Sequence, residues 1–198
     1  SGPASEFNRS SRVGVFSVVS STGPPARISM SAILRARPAD VVGKLDLCLA
    51  LLMASLAFSG LESLRPVMLA KACSLLDDVM LADGGHRNRD TRDLVSLVEM
   101  LWRIREAMEA KRLVVPDRLG AALDRGVAMV RFLALGDGKL AGFGAGAVPS
   151  PEWSWMGKNP SEAGRPAVQV ARQSGYMRLE QGDSVVVLDG GSGAAHHG

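Results

Sequence analysis

The chain has 198 residues, 46% of them hydrophobic, which is enough for one domain with a buried core and excludes an intrinsically disordered protein. Its 23 Lys and Arg residues only slightly outnumber its 20 Asp and Glu residues, giving a net charge of +3 and a pI near 9.2. No basic block or basic-aromatic ladder is present, so nucleic acid is not an expected partner, whereas a polyanionic ligand stays open.

Residues 1–30 receive no fold assignment. They begin "SGPASEFNRSS", a small, polar stretch typical of an expression-derived or cut end. No charged-then-apolar leader is visible there, and both a periplasmic and a cytoplasmic location stay open. The most apolar run, 45–58, is shorter than the ~20 residues needed to cross a bilayer, so we expect a buried helix and no membrane span. Cys48 and Cys73 lack metal-ligand spacing and predict buried free thiols.

Helical periodicity dominates the chain from about residue 44 to residue 135. Clusters of Gly or Pro interrupt it at three places. Pro66 fits the first turn of a helix, where a missing N–H costs nothing, and Thr91 is a candidate N-cap. The four expected helices cover 44–58, 66–82, a segment beginning near Thr91, and a segment from Pro116 to about 135.

Two glycine-rich loops, 83–90 ("DGGHRNRD") and 136–143 ("GDGKLAGF"), are expected to lie side by side. Short connections at 83–90 and 112–115 predict antiparallel neighbours, so the second and fourth helices should end on the same side of the layer. A loop that gathers polar groups at a rim is a common place to meet a ligand. This shared end is therefore the candidate functional site.

After Phe143 the composition changes to Gly, Pro, Ser and two tryptophans, which indicates an irregular connector. Beyond it, 174–180 and 184–189 are strand-like runs joined by a short glycine-containing turn, which predicts a β-hairpin. A hairpin of this size is marginal alone, and we expect it to be weakly buried.

Four pieces in chain order resemble the heparinase II/III-like proteins, particularly those of alphaproteobacterial type. They are "DGGH" with an arginine shortly after it, "ALDRGVAMVRFLALGDGKLAGFGAG" at 122–146, "SGYMRLEQGDSVVVLDGG" at 174–191 and the terminal "AHHG". The resemblance covers about 31–198. It implies a mainly α protein, with antiparallel helical hairpins of an incomplete α/α toroid followed by the first strands of a β-sandwich. On that basis the chain is a fragment.

The expected domains follow from the same resemblance. Residues 31–146 would form the helical, toroid-like domain, 147–170 a linker and 171–198 the start of a truncated β-sandwich. Studied members of the family are polysaccharide lyases, which cleave uronate-containing glycans by β-elimination. The implied partner is an acidic polysaccharide and the implied reaction needs no cofactor; the sequence does not specify the oligomeric state.

The resemblance also implies site residues. The proton removed in β-elimination lies α to a carboxylate, so one group must stabilise the developing charge while another transfers the proton. His86 and Arg89 are the expected catalytic groups, together with His196, which resembles the histidine of the sandwich. The expected substrate-binding residues are Asn88, Asp90, Trp153 and Trp155, and no metal ligands are assigned.

Two departures from the family keep other functions open. Asp90 stands where the family often has Asn, and the chain's single tyrosine, Tyr176, falls in the presumed strands rather than in the helical domain. A non-catalytic helical module that binds an acidic polysaccharide or a protein partner, or an inactive relative, therefore remains an alternative to a lyase. Asp83-Gly84-Gly85 predicts a helix stop with φ > 0 at a glycine, and the resemblance implies that Asp83 orients this turn. Other structural interpretations also stay open: a turn-bonding His86, solvated Arg87 and Arg89, a tight turn at Asp137 and Lys139, tryptophans that anchor the connector, and an exposed His196.

Overall fold

The computed structural model describes residues 38–144, 169–182 and 184–191, which belong to one compact unit. The chain is mainly helical, with a small three-stranded antiparallel sheet of order β1-β2-β3. The boundaries of the predicted domains remain predictions. The helices are α1 (Val41–Ala57), α2 (Arg65–Val79), α3 (Thr91–Ala110) and α4 (Asp117–Leu133), with a 3-10 turn at Glu62–Leu64, and the strands are β1 (Val170–Ala171), β2 (Tyr176–Gln181) and β3 (Ser184–Asp189).

The four helices confirm the prediction from periodicity, with corrections at their ends. The first helix begins earlier than expected because the Asp40 side chain caps it, accepting a hydrogen bond from Gly43 N at 2.6 Å. The N-cap of α3 is Asp90 and not Thr91, since Asp90 Oδ1 accepts from Arg92 N at 2.8 Å. Pro66 lies in the first turn of α2, as predicted.

Helix α1 forms the centre of the core and packs against both α2 and α3. It carries no charged residue after Asp46, so apolar side chains surround most of its circumference. Burial of each such leucine contributes roughly 1.5–3 kcal/mol. The largest fully buried side chains of the helices include Leu45, Leu49, Leu52 and Leu56 of α1, Leu76 of α2, Leu94, Leu101 and Ile104 of α3, and Leu119 and Leu123 of α4. Cys48 and Cys73 are buried free thiols, as predicted.

Helices α2 and α4 are each followed by a turn of the same kind. In each, one antiparallel bridge closes the loop and an aspartate side chain accepts a hydrogen bond from the backbone N–H two residues later, at 3.1 or 3.0 Å. The glycine after the aspartate has a left-handed φ of +89° or +78°, which a residue with a side chain rarely adopts. We call these segments the α2 turn (80–86) and the α4 turn (134–140). Corresponding residues are Met80 and Ala134, Asp83 and Asp137, Gly84 and Gly138, Gly85 and Lys139, and His86 and Leu140.

Strand β2 has one buried face, whereas no residue of β3 is buried, so the expectation of a weakly buried hairpin holds for β3 and is wrong for β2. Tyr176 and Arg178 of β2 are only 3% and 7% exposed, because this face lies against the ends of the helices. Side chains on the opposite face of the sheet remain exposed. Within the described ranges, no helix is long and apolar enough to cross a membrane.

Candidate functional site

The loops 83–90 and 136–143 lie together at one end of the helical layer, as the sequence predicted. Thr91, which is 2% exposed, connects the two loops by hydrogen bonds. Its hydroxyl donates to Ala141 O at 3.0 Å and accepts from Phe143 N at 3.2 Å, while its backbone N–H donates to Phe143 O at 3.3 Å. The candidate residues of loop 83–90 therefore lie beside loop 136–143. We call these two loops together the shared end.

The sheet docks on the shared end through Asp83. Asp83 Oδ1 accepts from Gly85 N at 3.1 Å and holds the α2 turn, as the sequence predicted. Asp83 Oδ2 accepts three more hydrogen bonds from the turn before β2: from Gln173 N at 2.8 Å, Ser174 N at 2.7 Å and Ser174 Oγ at 2.9 Å. In return, Gln173 Oε1 accepts from Ala82 N at 2.7 Å. This reciprocal set of bonds joins two segments about 90 residues apart in the sequence.

Gly84 allows the α2 turn to lie close to helix α4, and Gly85 allows it to lie close to the turn before β2. A Cβ on Gly84 would overlap the backbone carbonyl of Arg125, and its φ of +89° also disfavours a side chain. A Cβ on Gly85 would lie 2.7 Å from Ser174 Cβ. The α4 turn carries Lys139 at the position of Gly85. A side chain therefore stands in the α4 turn at the point where the α2 turn meets Ser174.

Replacing Gly85 with alanine is expected to destabilise the docked turn by about 1–3 kcal/mol, since the added methyl group would overlap the Ser174 side chain. The free energy of unfolding from urea denaturation measures the effect. Gly120→Ala is the matched control, because a Cβ there meets nothing within 4 Å and helix α4 gains about 0.5–1 kcal/mol. If the two variants change the free energy of unfolding equally, or each in the direction opposite to that expected, the close approach of Gly85 to Ser174 does not limit the stability of the docked turn.

His86 is buried, with 3% exposure, and begins a chain of polar contacts. Its Nδ1 lies against Asn88 Oδ1, and Asn88 Nδ2 donates to Asp93 Oδ2 at 2.5 Å. Burial lowers the pKa of His86, although Asn88 and the carboxylates of Asp93 and Asp90 oppose the shift. A neutral, buried imidazole at pH 7 suits a structural hydrogen bond and does not supply a positive charge.

Arg89 joins the shared end to the sheet. Its guanidinium forms an ion pair with Asp189 at the end of β3 and lies 5.3 Å from the centre of the Tyr176 ring. Tyr176 OH donates to Arg89 O at 3.2 Å, and the ring stacks on Phe143 at 4.9 Å between centroids. Burial raises the pKa of Tyr176, so its hydroxyl stays protonated at neutral pH. The tertiary structure thus brings Tyr176, which the sequence separates from the loop, directly against it.

The remaining predicted residues divide into two groups. Asn88 Oδ1 also accepts from Asp90 N at 2.9 Å, and Asp90 caps α3, so both serve the backbone of the loop. Trp153, Trp155 and His196 lie outside the described residues. Within 38–144, 169–182 and 184–191, no group of three or more His, Cys, Asp or Glu side chains could hold a metal ion.

Sequence reasoning missed Gln173, Ser174, Arg178 and Asp189 as partners of this surface. Arg178 Nη1 donates to Phe132 O at 2.7 Å and also to Ala134 O, at the C-terminal end of α4. The one signal in the sequence was charge, since an arginine at a strand position that faces inward needs a polar partner. The identity of that partner depends on docking between distant segments.

Asp46 is a separate electrostatic feature near the start of α1. Its pKa is raised to about 6, first by burial and then by the neighbouring carboxylates of Asp93 and Asp40. A raised folded-state pKa means that ionised Asp46 destabilises the folded protein at neutral pH. The penalty is complete above pH 6 and disappears as the pH falls from about 6 towards 3.8, where Asp46 is protonated in both states.

Asp46→Asn is therefore expected to stabilise the protein at pH 7, on the order of 1 kcal/mol after allowance for solvent screening, and to lose this advantage as the pH falls below about 6. Urea denaturation at pH 7, 6, 5 and 4 tests the trend. Asp124→Asn on the exposed side of α4 is the control for removing a carboxylate from the surface of a helix. A gain that persists undiminished at pH 4 would contradict the assignment.

Comparison with known proteins gives one informative similarity. The sequence is 33% identical over 116 residues to FtsZ-localized protein C of Caulobacter vibrioides (strain NA1000 / CB15N), a match that takes in 59% of this chain and 20% of that protein. The matched part of the chain thus spans about a fifth of the length of this relative. No family model matches the chain, and no solved structure matches it.

This comparison overturns the resemblance to the heparinase II/III-like family. The similarity is to a protein named for localisation with FtsZ, and no heparinase model matches. The prediction of a polysaccharide lyase and of an acidic polysaccharide partner is therefore wrong. The roles assigned to individual site residues are not tested by this comparison and stay predictions. The structure supplies a physical reason: two of the quoted pieces contain the α2 and α4 turns, in which Asp-Gly stabilises a tight turn and does not by itself indicate a lyase.

Proposed function

We propose that the protein to which this chain belongs takes part in cell division in association with FtsZ, and that this chain acts as a non-catalytic interaction module. The observation that carries the proposal is the 33% identity over 116 residues to FtsZ-localized protein C. The name of that relative states where it is found, and we extend this location to the present protein as a hypothesis.

The chemistry of the shared end supports a binding module rather than an enzyme. Asp83 holds the turn before β2, Arg89 pairs with Asp189, and Asp90 caps α3. His86 is buried and its pKa is lowered by burial. These groups stabilise the junction between helices and sheet, so the polar crowding of the loop is accounted for by structure.

The repeated turn supports a larger helical array. We infer that α1–α4 belong to a series of α/α hairpins of the kind expected for a toroid, because α2 and α4 end in the same bridged Asp-Gly turn on the same side. The three-stranded sheet would then be seated on that side of the series. The series of hairpins and the seating of the sheet are parts of this proposal.

The association with FtsZ is tested in cells and with purified proteins. A fluorescent fusion of the protein should colocalise with labelled FtsZ, and the purified chain should bind immobilised FtsZ saturably in biolayer interferometry. Serum albumin on the same sensor is the control for nonspecific adsorption. A fusion that stays diffuse while FtsZ assembles, together with a flat binding curve, would overturn the proposal.

A further inference from the structure

The outer face of the sheet is a continuous apolar surface. Register places Met177 opposite Leu188, Leu179 opposite Val186, and Val170 beside Met177. The two remaining paired positions on this face are Gln181 and Ser184, so the face carries no charged strand residue. The exposed fractions of its apolar residues are 46% for Val170, 39% for Met177, 57% for Leu179, 48% for Val186 and 42% for Leu188.

Strand β3 leaves one of its edges open beside this face. It pairs with β2 on one side, and in the part of the chain that the structure describes no strand pairs with its other side. Exposed edges of natural sheets are usually protected by lysine, proline or a bulge. The sequence of β3, "SVVVLD", contains neither residue type and pairs with β2 without a bulge. Its single charge, Asp189, is already paired with Arg89.

The dimensions of the outer face decide what can bind to it. Two six-residue strands, each roughly 20 Å long, and the two-residue strand β1 lie about 4.8 Å apart and together cover on the order of 200–250 Å². A stable interface between globular proteins needs about 800 Å² from each partner, so two copies meeting through this face would bury too little. A single extended segment fits, because its backbone would pair with β3 and alternate side chains would continue the apolar surface.

We propose that β3 and the outer face bind an extended, uncharged segment of a partner protein with apolar residues at alternate positions. The segment adds a fourth strand at the open edge of β3. Its apolar side chains lie beside Val186 and Leu188, and its backbone supplies the missing hydrogen bonds. The proposal concerns this surface of the chain and does not depend on whether the partner is FtsZ.

The probe is a fluorescein-labelled eight-residue peptide in which valine and threonine alternate, measured by fluorescence anisotropy with the full chain. It should bind and protect backbone amides of β3 from hydrogen exchange. N-methylation of every second peptide nitrogen should weaken binding at least tenfold, as should Val186→Lys in the protein. Val67→Lys on α2, where Val67 is 59% exposed, is the matched control and should change binding less than twofold.

Several results would overturn the proposal. Equal binding of a peptide of the same composition with its valines clustered, or of the N-methylated peptide, would exclude strand pairing. No binding of the alternating peptide at millimolar concentration would exclude it as well. A dimer in sedimentation velocity that Val186→Lys dissolves would assign the face to a second copy instead. Because Val186 is exposed, its variant should keep the unfolding midpoint of the wild type, which confirms that a loss of binding is local.

Discussion

Replacing Arg178 with alanine is expected to lower the free energy of unfolding by about 3–5 kcal/mol. Arg178 is 7% exposed and its guanidinium donates to Glu180 Oε1 at 2.5 Å and to two carbonyls at the end of α4. These carbonyls lie at the negative end of the helix dipole, where a cation is favourable. Without the guanidinium, Glu180 and the two carbonyls lose this hydrogen-bond donor in a site that water barely reaches.

Urea denaturation at pH 7 measures this loss, with Arg118→Ala as the matched control. Arg118 also pairs with a carboxylate, Asp77 Oδ2 at 2.6 Å, but its side chain is 66% exposed. Solvent screens such a pair, so its loss should cost less than about 1 kcal/mol. Similar losses for both variants would show that Arg178 is not a buried anchor of the sheet.

Asp83→Asn is the second change with a large expected effect, a loss of about 2–4 kcal/mol. The Asp83 carboxylate accepts four hydrogen bonds from Gly85, Gln173 and Ser174. An amide group keeps the shape of the side chain but loses the charge and turns an NH₂ group towards one set of donors. The turn before β2 should then detach from the shared end, which hydrogen exchange in 173–178 would report.

The repeated turn provides the control for this change. Asp137 occupies the equivalent position, accepts from Lys139 N at 3.0 Å, and its side chain is 52% exposed. Asp137→Asn should cost clearly less than Asp83→Asn and leave exchange in 173–178 unchanged. If the two variants behave alike, the aspartate stabilises only its own turn and the contact with the sheet contributes little.

The helices illustrate how far the sequence alone reaches. Periodic leucines predicted four helices because the period of 3.6 residues is a local property, and Pro66 marked the first turn of α2 correctly. The predicted end of α2 at residue 82 was wrong. The chain leaves the helix after Val79 because Met80 bridges His86, a pairing that helical spacing does not reveal.

The shared end shows how much of the candidate site could be predicted from the sequence. Loop lengths correctly predicted that 83–90 and 136–143 lie together, and the Asp-Gly sequence correctly predicted a turn with a left-handed glycine. The functional interpretation was wrong because polar residues gathered in one loop fit a substrate site and a structural junction equally well. Only the contacts made by Arg89 and Asp83 with the sheet distinguish the two.

The sequence by itself determined the helices, the hairpin and the two Asp-Gly turns, because each depends on residues within one or two turns of chain. The tertiary structure alone decided that Ser174 meets Asp83, that Tyr176 meets Arg89, and that one face of the sheet is buried while the other is open. Those contacts join residues about 90 positions apart. Their formation depends on the close approach of Gly85 to Ser174 and on burial of Arg178 against the end of α4, which no local pattern encodes.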